Sequence, residues 1–488
     1  MIILQQTRGN LSSGDQLALD LQFAADKTLT ARIGPTPVFS RASGATYVGS
    51  DGLIHGIDTS TTSNSISPGS KSFTLQATAG QDQFWRTGDG VEASNGGNSM
   101  VGTVTSYNSS TQVLVCNMTS IAGTGTFTSW RIGYRGPRFD HDPVTLASRG
   151  LLIEESRTNL ILQSENHASA SWNKTGATVA AVTHTAPDGN TSSNLVSEDS
   201  STGLHRLFQV SAYVSGTSYA ISVFLKFAGR QFVAITHPTV AANNGIAIFD
   251  IQNGSVTLQQ SGITASMIQY PNGWWRCVVV GTSLVTSSQS HIIQGSTTGG
   301  VLTGSYTGLN GAAFYIYGSQ IEAGSLPTSY IPTTTGTAAR AADVCSITDI
   351  SSFYAGRGTI FASSQLNGLS QLNGICGFNT GTNQICINRL TSTTRALTFG
   401  ATPAVSINSA ANIPPTTFVK SAFAFDINDA AYFNNNVLAG TATSLTLPSV
   451  TQFQVGGNGG QQIQSGTIAA IRYYRKRLPN AKLQAITV

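Results

Sequence analysis

The chain is 488 residues long, which is too much for one ordinary core, so two to four domains are expected. Hydrophobic residues make up 40% of it and charged residues only 10%, which excludes a disordered low-complexity chain and favours short strands and turns. The net charge of +4 is carried by one run, Arg472, Arg475, Lys476 and Arg477, so there is no broad basic face and no nucleic-acid partner is predicted.

The N-terminal residues predict neither export nor membrane insertion. MIILQQTRGN lacks the basic region and the long apolar region of a signal peptide. No window of the chain approaches the ~18 apolar residues that a membrane span needs. We therefore expect the protein to be made and folded in a cytoplasm.

Residues 1–56 and 135–156 are interpreted as one interrupted N-terminal unit. Its strands are short, and Asp51-Gly52 is a turn dipeptide between two of them. Because the unit has too few strands to bury a core alone, we interpret it as an attachment unit. Residues 57–134 alternate apolar and polar positions at a period of two, which predicts an inserted small β domain of about five strands.

Two larger β units follow. In residues 157–335 strand-forming stretches recur with turn residues between them, which predicts a two-sheet jelly roll. Residues 336–488 predict a further set of strands, with a hairpin around Asn428-Asp429, and a final helix with Pro479 in its first turn. The predicted fold class is all-β and multidomain, with jelly-roll and β-sandwich modules, a small inserted barrel-like domain and one C-terminal helix.

The cysteines predict no cofactor or metal. Their spacing contains no CxxC pair and no histidine at zinc-ligand distance, and an odd, sparse set does not indicate a disulfide framework. Two of them lie in strand-like stretches, where a reduced cysteine packs as a small core residue. The five are Cys116, Cys277, Cys345, Cys376 and Cys386.

No catalytic group is predicted, and the chain is not expected to be an enzyme. It contains no GxSxG elbow and no HExxH spacing. Glu154 and Glu155 are adjacent, so they point to opposite faces of a strand, and we expect them to pair with Arg149 or Arg157. The carboxylates of a glycoside hydrolase need not be close in sequence, so a polysaccharide depolymerase stays open as the least favoured hypothesis.

The triplet Asp140-His141-Asp142, before Pro143, has the residue types of a metal site or a proton relay. A turn held by aspartate side-chain hydrogen bonds is the preferred interpretation, because aspartate commonly bonds to backbone amides two residues on. No metal ligand is predicted here.

Aromatic residues provide the candidates for ligand binding, because sugars pair an aromatic platform with a few polar donors. In GWWRC, alternation places Trp274 and Arg276 on one face of a strand and Trp275 and Cys277 on the core face. Trp274 and Arg276 are thus predicted to contact a ligand, although a structural contact on that face is the favoured alternative.

Three further residues are weaker candidates for ligand contact. Trp172 stands beside a predicted turn in ASASWNKTG and carries the same two interpretations. His205 and Arg206 follow in the same unit.

Three stretches carry a resemblance to a known family. They occur in the same order and with the same neighbours as in minor structural proteins of tailed phages, prophages and gene transfer agents, of the tail-fibre, baseplate or head-spike type. The stretches are FSRASGATYVGSDGLI, PRFDHDPVTLASRGLLIEESRTNLILQSE and GAAFYIYGSQIEAGSLPTSYIPT.

The resemblance implies two modules of glycan-binding type. Residues 157–335 resemble a carbohydrate-binding-module jelly roll, and residues 345–488 resemble a laminin-G or concanavalin sandwich. The chain departs from the lectin pattern because no Asp/Asn cluster matches a calcium site.

The resemblance also implies a function. We expect a virion protein that contacts other virion proteins, forms a homo-oligomer, with a trimer favoured, and presents lectin-like modules to glycans of the host surface. The alternative is a purely structural adaptor or decoration protein without a ligand.

Overall fold

The computed structural model describes residues 16–76, 85–182, 184–237, 245–367, 372–390, 393–400, 403–409, 413, 417–457 and 464–488. Residues 1–10, on which the prediction of no signal peptide rests, lie outside this part of the chain. The predicted all-β class is confirmed, since the described residues form antiparallel sheets and a C-terminal helix. No helix within the described residues is both long and apolar enough to cross a membrane.

The chain begins with short elements. β3 and β4 form a hairpin whose turn contains Asp51 and Gly52, as predicted. Gly52 has a φ of +81°, which favours glycine, and the Asp51 carboxylate accepts a 3.0 Å hydrogen bond from the amide of Leu53. The elements are β1 (Leu17–Leu21), the single turn α1 (Phe23–Asp26), β2 (Val38–Ser40), β3 (Tyr47–Val48) and β4 (Ile54–His55).

The next eight strands form a separate small β structure. Six of them make one sheet in the order β5-β12-β8-β9-β10-β7, and β6 pairs with β11. Its core contains Phe73, Trp85 and Trp130. The strands are β5 (Ile57–Ser60), β6 (Asn64–Ser65), β7 (Gly69–Thr74), β8 (Gly90–Asn95), β9 (Asn98–Asn108), β10 (Val113–Ala122), β11 (Thr126–Phe127) and β12 (Trp130–Tyr134).

A jelly-roll-like pair of six-stranded sheets follows the short strands β13 (Arg138–His141), β14 (Ser148–Ile153) and β15 (Arg157–Asn159). Its strands, and one 3-10 helix, are β16 (Asn173–Thr175), β17 (Ala177–Ala181), β18 (Asn194–Glu198), β19 (Thr202–Gly203), β20 (Arg206–Tyr213), β21 (Ser218–Phe227), β22 (Phe232–His237), β23 (Gly245–Asp250), β24 (Ser255–Gln259), β25 (Ile263–Tyr270), the 3-10 helix Pro271–Gly273, β26 (Trp274–Thr282), β27 (Ser287–Ser296), β28 (Tyr306–Thr307) and β29 (Gly311–Ala323).

We call these sheets the front sheet, in the order β17-β18-β29-β21-β26-β25, and the back sheet, in the order β16-β20-β27-β22-β23-β24. Alternate residues of both sheets fill the core between them, including Val223, Phe249 and Ile293, which are fully buried. Burial of alternate residues is expected where two sheets pack face to face.

The C-terminal part is a second sandwich. The hairpin predicted near Asn428 has Ile427 and Asn428 as its two turn residues, and Asn428 has a φ of +57°. The elements are β30 (Ala338–Arg340), β31 (Val344–Ile347), β32 (Gly358–Leu366), β33 (Leu372–Asn379), β34 (Gln384–Leu390), β35 (Thr394–Phe399), β36 (Val405–Asn408), β37 (Val419–Asp426), β38 (Asp429–Asn434), β39 (Val437–Ala442), β40 (Gln452–Val455), β41 (Gly466–Tyr474) and α2 (Asn480–Ile486).

The two sheets of this sandwich also contain the N-terminal strands. One sheet has the order β13-β14-β41-β32-β37-β38-β39, with β1 also paired to β41, and the other has the order β2-β31-β40-β33-β34-β35-β36. Leu19 and Leu151 are buried in the same core as Phe378 and Phe423. The strands β1, β2, β13 and β14 of the expected attachment unit therefore pair within the sheets of the C-terminal sandwich, whereas its hairpin β3–β4 packs against the jelly roll.

The C-terminal helix and the basic run pack on the outside of this sandwich. Pro479 is the residue before α2, and Leu478 and Leu483 are buried against the eight-stranded sheet. Arg472 lies 3.3 Å from Asp20, and Arg477 lies 3.0 Å from Asp429, so two of the basic residues form ion pairs within the chain.

Candidate functional site

A buried ion cluster joins the parts of the molecule. It consists of Arg41, Arg138, Glu154, Arg340 and Asp343. Arg138 lies 2.7 Å from Glu154 and 2.6 Å from Asp343, Arg41 lies 2.9 Å from Asp343, and Arg340 lies 2.9 Å from Glu154. Pairing of β13 with β14 brings Arg138 close to Glu154. The expected pairing of Glu154 with Arg149 or Arg157 is thus wrong, because the fold supplies two closer guanidinium groups; Glu155 does pair with Arg157.

The ion cluster holds its charges in the protein interior. Burial alone would raise the pKa of Glu154, but Arg340 and Arg138, together with donors of Ser329, lower it from 4.5 to about 2. Burial lowers the pKa of Arg41 to about 10 despite the neighbouring Asp343. Each charge has an opposite partner, which is the condition for keeping ions buried.

A crevice of about 170 Å³ lies beside the ion cluster, where three parts of the chain meet. One wall is the outer face of the front sheet, a second is the hairpin β3–β4, and a third is the pair β13–β14. Residues that line it include Tyr47, Val48 and Ile54 from the hairpin and Asp140 and Glu154 from the β13–β14 segment. The walls combine aromatic rings with charged and hydrogen-bonding groups, as sugar and cofactor pockets do.

The outer face of the front sheet presents a row of four neighbouring side chains. Strand register pairs Ile268 of β25 with Arg276 of β26, Arg276 with Phe224 of β21, and Phe224 with Tyr317 of β29. The same strand register pairs Tyr270 with Trp274. Because residues two apart on a strand share a face, these side chains form one aromatic and cationic surface.

Arg276 is the charged residue of this surface that lines the crevice. Its Nη2 donates hydrogen bonds to the Ser222 hydroxyl at 3.0 Å and the Thr328 carbonyl at 2.8 Å. Its guanidinium carbon lies 5.5 Å from the centre of the Phe224 ring, which is cation–π distance. These contacts fix the side chain in one orientation, with 6% of the residue exposed.

Asp140 and Arg149 line the crevice together with Arg276. Asp140 accepts a 2.8 Å hydrogen bond from the amide of Val48, and its second oxygen is 3.9 Å from Arg149. Burial raises the pKa of Asp140 to about 6. Burial also raises the pKa of Tyr270, and the adjacent Arg276 opposes that rise.

Of the Asp140-His141-Asp142 triplet, Asp140 and His141 end strand β13, and Asp142 begins the turn that was the preferred interpretation. The Asp142 carboxylate accepts hydrogen bonds from the amides of Val144 at 3.0 Å and Thr145 at 2.8 Å. Within the part of the chain that the structure describes, no group of three histidine, cysteine, aspartate or glutamate residues is arranged to hold a metal ion.

The structure places Trp274 on the same face as Arg276 but covers it. The residue is fully buried, and its indole N–H donates to the carbonyl of Thr185 at 2.9 Å. It belongs to a small core together with Val48 and Ile54 of the β3–β4 hairpin. Trp274 is therefore not a ligand contact but has the structural contact that was the favoured alternative, because a segment distant in sequence packs on that face.

The other predicted contact residues lie away from the crevice. Trp172 is buried in the jelly-roll core and donates its N–H to the carbonyl of Gln163 at 3.1 Å. His205 is buried with its ring 4.7 Å from that of Tyr306. Only Arg206 is partly exposed, on the back sheet, stacked 5.1 Å over Phe208. Of the predicted ligand-binding residues, Arg276 alone lines the crevice.

A pair of carboxyl groups was not predicted from the sequence. The Tyr317 hydroxyl lies 3.1 Å from Oε1 of Glu165 and 3.1 Å from Oδ2 of Asp188. One hydroxyl has one hydrogen to donate, so the second contact requires a protonated carboxyl. Burial, and for Glu165 also the neighbouring Asp188, raises the pKa of each carboxyl. Nothing in the local sequence reveals the pair, because the two residues meet only through β29.

No protein-family model matches this chain, and no curated protein matches its sequence. Solved structures that resemble it include a sialidase, a domain of a second sialidase and a domain of an arabinanase. Trypanosoma rangeli sialidase, in complex with the inhibitor DANA, is 13% identical, with 96% of each chain covered and a TM-score of 0.26. The CBM40 domain of Ruminococcus gnavus IT-sialidase is 17% identical over 28% of this chain and 84% of its own, with a TM-score of 0.25.

A third similar structure is domain 4 of AbnA, a GH43 extracellular arabinanase from Geobacillus stearothermophilus, in complex with arabinotriose. It is 15% identical over 33% of this chain and 82% of its own, with a TM-score of 0.27. At such TM-scores none of these likenesses assigns a site or an activity to this chain. They do correct the expectation that the chain is not an enzyme: glycosidases are among the similar structures, so that exclusion is not supported.

Proposed function

We propose that this protein is a structural component of a tailed-phage particle that presents its β modules to glycans on the host cell surface. The observation that carries the proposal is the convergence of the three stretches that resemble the phage family. Arg41 comes from the first stretch, Arg138 and Glu154 come from the second, and the third passes between them at Ser329, which donates to Glu154. The resemblance thus falls on residues that hold the modules in fixed orientation.

The crevice is the proposed glycan site. It lies against the outer face of the front sheet, and it combines aromatic rings with fixed polar groups. A rigid body repeated by symmetry converts weak single-site binding into firm attachment. We therefore propose a homotrimer located on the virion and anchored there through other virion proteins.

A glycan array probed with the full-length protein, coupled to multivalent beads, tests the binding step. We expect retention on a defined group of host-type glycans, and we expect soluble protein to reduce adsorption of particles to cells. Immunogold labelling of particles locates the chain. Labelling without any glycan retention would favour the adaptor alternative, and particles without label would remove the virion assignment.

The pair of carboxyl groups supports a second candidate, hydrolysis of a glycan at the pair itself, since neither Glu165 nor Asp188 lines the crevice. A protonated and a charged carboxyl are the groups that glycoside hydrolysis uses. A reducing-end assay on host polysaccharide tests this candidate. Activity that is lost in both Glu165→Gln and Asp188→Asn would establish it, and absence of new reducing ends with the wild-type protein would eliminate it.

A further inference from the structure

Arg276 is a buried cation without a counter-ion. It is 6% exposed, and the two groups that accept hydrogen bonds from its Nη2, the Ser222 hydroxyl and the Thr328 carbonyl, are neutral. Its Nε has no hydrogen-bond partner among the described residues, and no ion pair of those residues includes Arg276. Burial of an unpaired charge is costly, so a missing anion is expected at this place.

The carboxylates nearest to the crevice are already engaged. Glu154 pairs with Arg138 and Arg340, and both of its oxygens also accept hydrogen bonds from Ser329. Asp140 accepts the amide of Val48 and is close to Arg149. Arg230 is also a buried arginine of the jelly roll, and it is paired with Glu198. Arg276 therefore lines the crevice without an ion-pair partner among the described residues.

We propose that the crevice binds a sugar that carries a carboxylate, with Arg276 as the group that holds the carboxylate. This inference rests on the proposed function, since it specifies which glycans the same site selects. The guanidinium is suited to a carboxylate because its N–H groups lie in a plane that matches the two oxygens.

The size and lining of the crevice fit one sugar ring. Its volume of about 170 Å³ corresponds to about six waters at ~30 Å³ each, which is the space of a monosaccharide and not of a chain. Val48, Ile54 and Tyr270 form an apolar wall against which the C–H face of a sugar packs. Asp140 and Arg149 also line the crevice and supply polar groups for ring hydroxyls.

Ile268 gives a variant that separates loss of binding from loss of folding. It is paired with Arg276 across β25 and β26 on the same face, so their Cβ atoms are about 5 Å apart. It is 37% exposed, so substitution disturbs little packing. Ile268→Glu supplies Arg276 with the missing carboxylate from within the chain, while Ile268→Gln changes the shape in the same way without charge.

Calorimetric titration of the full-length protein with methyl glucuronide and methyl glucoside is the test, since the two differ only in a carboxylate against a hydroxymethyl group. We expect the glucuronide to bind at least tenfold more tightly than the glucoside. Ile268→Glu should lose this preference and melt at the same or a higher temperature than Ile268→Gln, which should keep it. Arg357→Gln, at an exposed arginine far from the crevice, is the matched control and should bind as wild type does.

Three results would overturn the inference. Equal affinity for both sugars, or equal binding by Ile268→Glu and Ile268→Gln, would leave glycan binding in place but remove Arg276 as its determinant. Acetate that binds as tightly as the glucuronide would show an anion site without sugar recognition. Failure of every glycan on the array would instead remove the proposed function itself.

Discussion

Nη2 of Arg138 lies 2.6 Å from the Oδ2 of Asp343, although 205 residues separate the two in the chain. Both side chains are fully buried. A contact of this kind ties the strand β13 to the segment before β31, and it does so at the same point where Arg41 and Glu154 join. The relative placement of the β modules therefore depends on a few buried charges.

Removal of one charge from this cluster should be costly. Glu154→Gln leaves Arg138 and Arg340 partly uncompensated, and we expect a loss of about 3 to 5 kcal/mol in the free energy of unfolding at pH 7. The pKa of Glu154 is lowered to about 2, so its contribution is present above pH 4.5 and is lost as the pH falls toward 2. The difference between variant and wild type, measured by urea unfolding, should therefore shrink in acid.

Asp26→Asn is the matched control for Glu154→Gln. Asp26 pairs with Arg32 at 2.5 Å, but this pair lies at the surface, and such pairs contribute less than about 1 kcal/mol. A cost for Glu154→Gln as small as that of Asp26→Asn would contradict the role assigned to the ion cluster.

The charge of Asp140 should lower the stability of the fold, whereas the charge of Glu154 raises it. Its pKa is raised from 3.8 to about 6, so between these values the folded state binds a proton that the unfolded chain releases. The carboxyl therefore stabilises the fold least above pH 6. Asp140→Asn, which can still accept the Val48 amide, should gain about 1 to 3 kcal/mol relative to wild type between pH 4.5 and pH 7.5.

Asp349→Asn tests the specificity of this effect. Asp349 is exposed, and hydrogen bonds from Ser351 lower its pKa, so its substitution should not produce a gain as the pH rises. If the free energies of unfolding of Asp140→Asn and the wild type change with pH in the same way, burial does not raise the pKa of Asp140.

Substitution of the buried tryptophans by alanine should lower the stability of the fold. Trp172→Ala and Trp274→Ala each remove a large side chain from a packed core, and we expect each to cost about 3 to 5 kcal/mol. Phe399→Ala, at a position 55% exposed, should change stability by less than about 0.5 kcal/mol. Thermal denaturation of the three variants is the measurement. If Trp274 were an exposed sugar-binding residue, Trp274→Ala would lower stability as little as Phe399→Ala does.

The carboxyl pair should show an unusual titration. Because the Tyr317 hydroxyl can donate to only one of Glu165 and Asp188, the pair keeps an extra proton as the pH rises through the ordinary range of carboxyl groups. Carbon NMR of labelled side chains should find a carboxyl that titrates above the exposed ones, and Glu165→Gln should abolish that resonance. A spectrum in which every carboxyl titrates at its ordinary value would exclude the shared proton.

The class of fold could be predicted from the sequence because alternation at a period of two is a local property. The same alternation placed Trp274 and Arg276 on one face and Cys277 in the core. It could not show that Val48 and Ile54 cover Trp274, because which segment packs on a face depends on the fold as a whole. The pairing of Arg138 with Asp343 and the meeting of Glu165 with Asp188 were inaccessible for the same reason.

The most direct test of glycan binding in the crevice is an experimental structure of the full-length protein with the best glycan from the array. We expect density for one sugar ring in the crevice, between Ile54 and Tyr270, with a polar group of the sugar at the guanidinium of Arg276. A sugar bound on the back sheet beside Arg206 and Phe208, with the crevice empty, would contradict it.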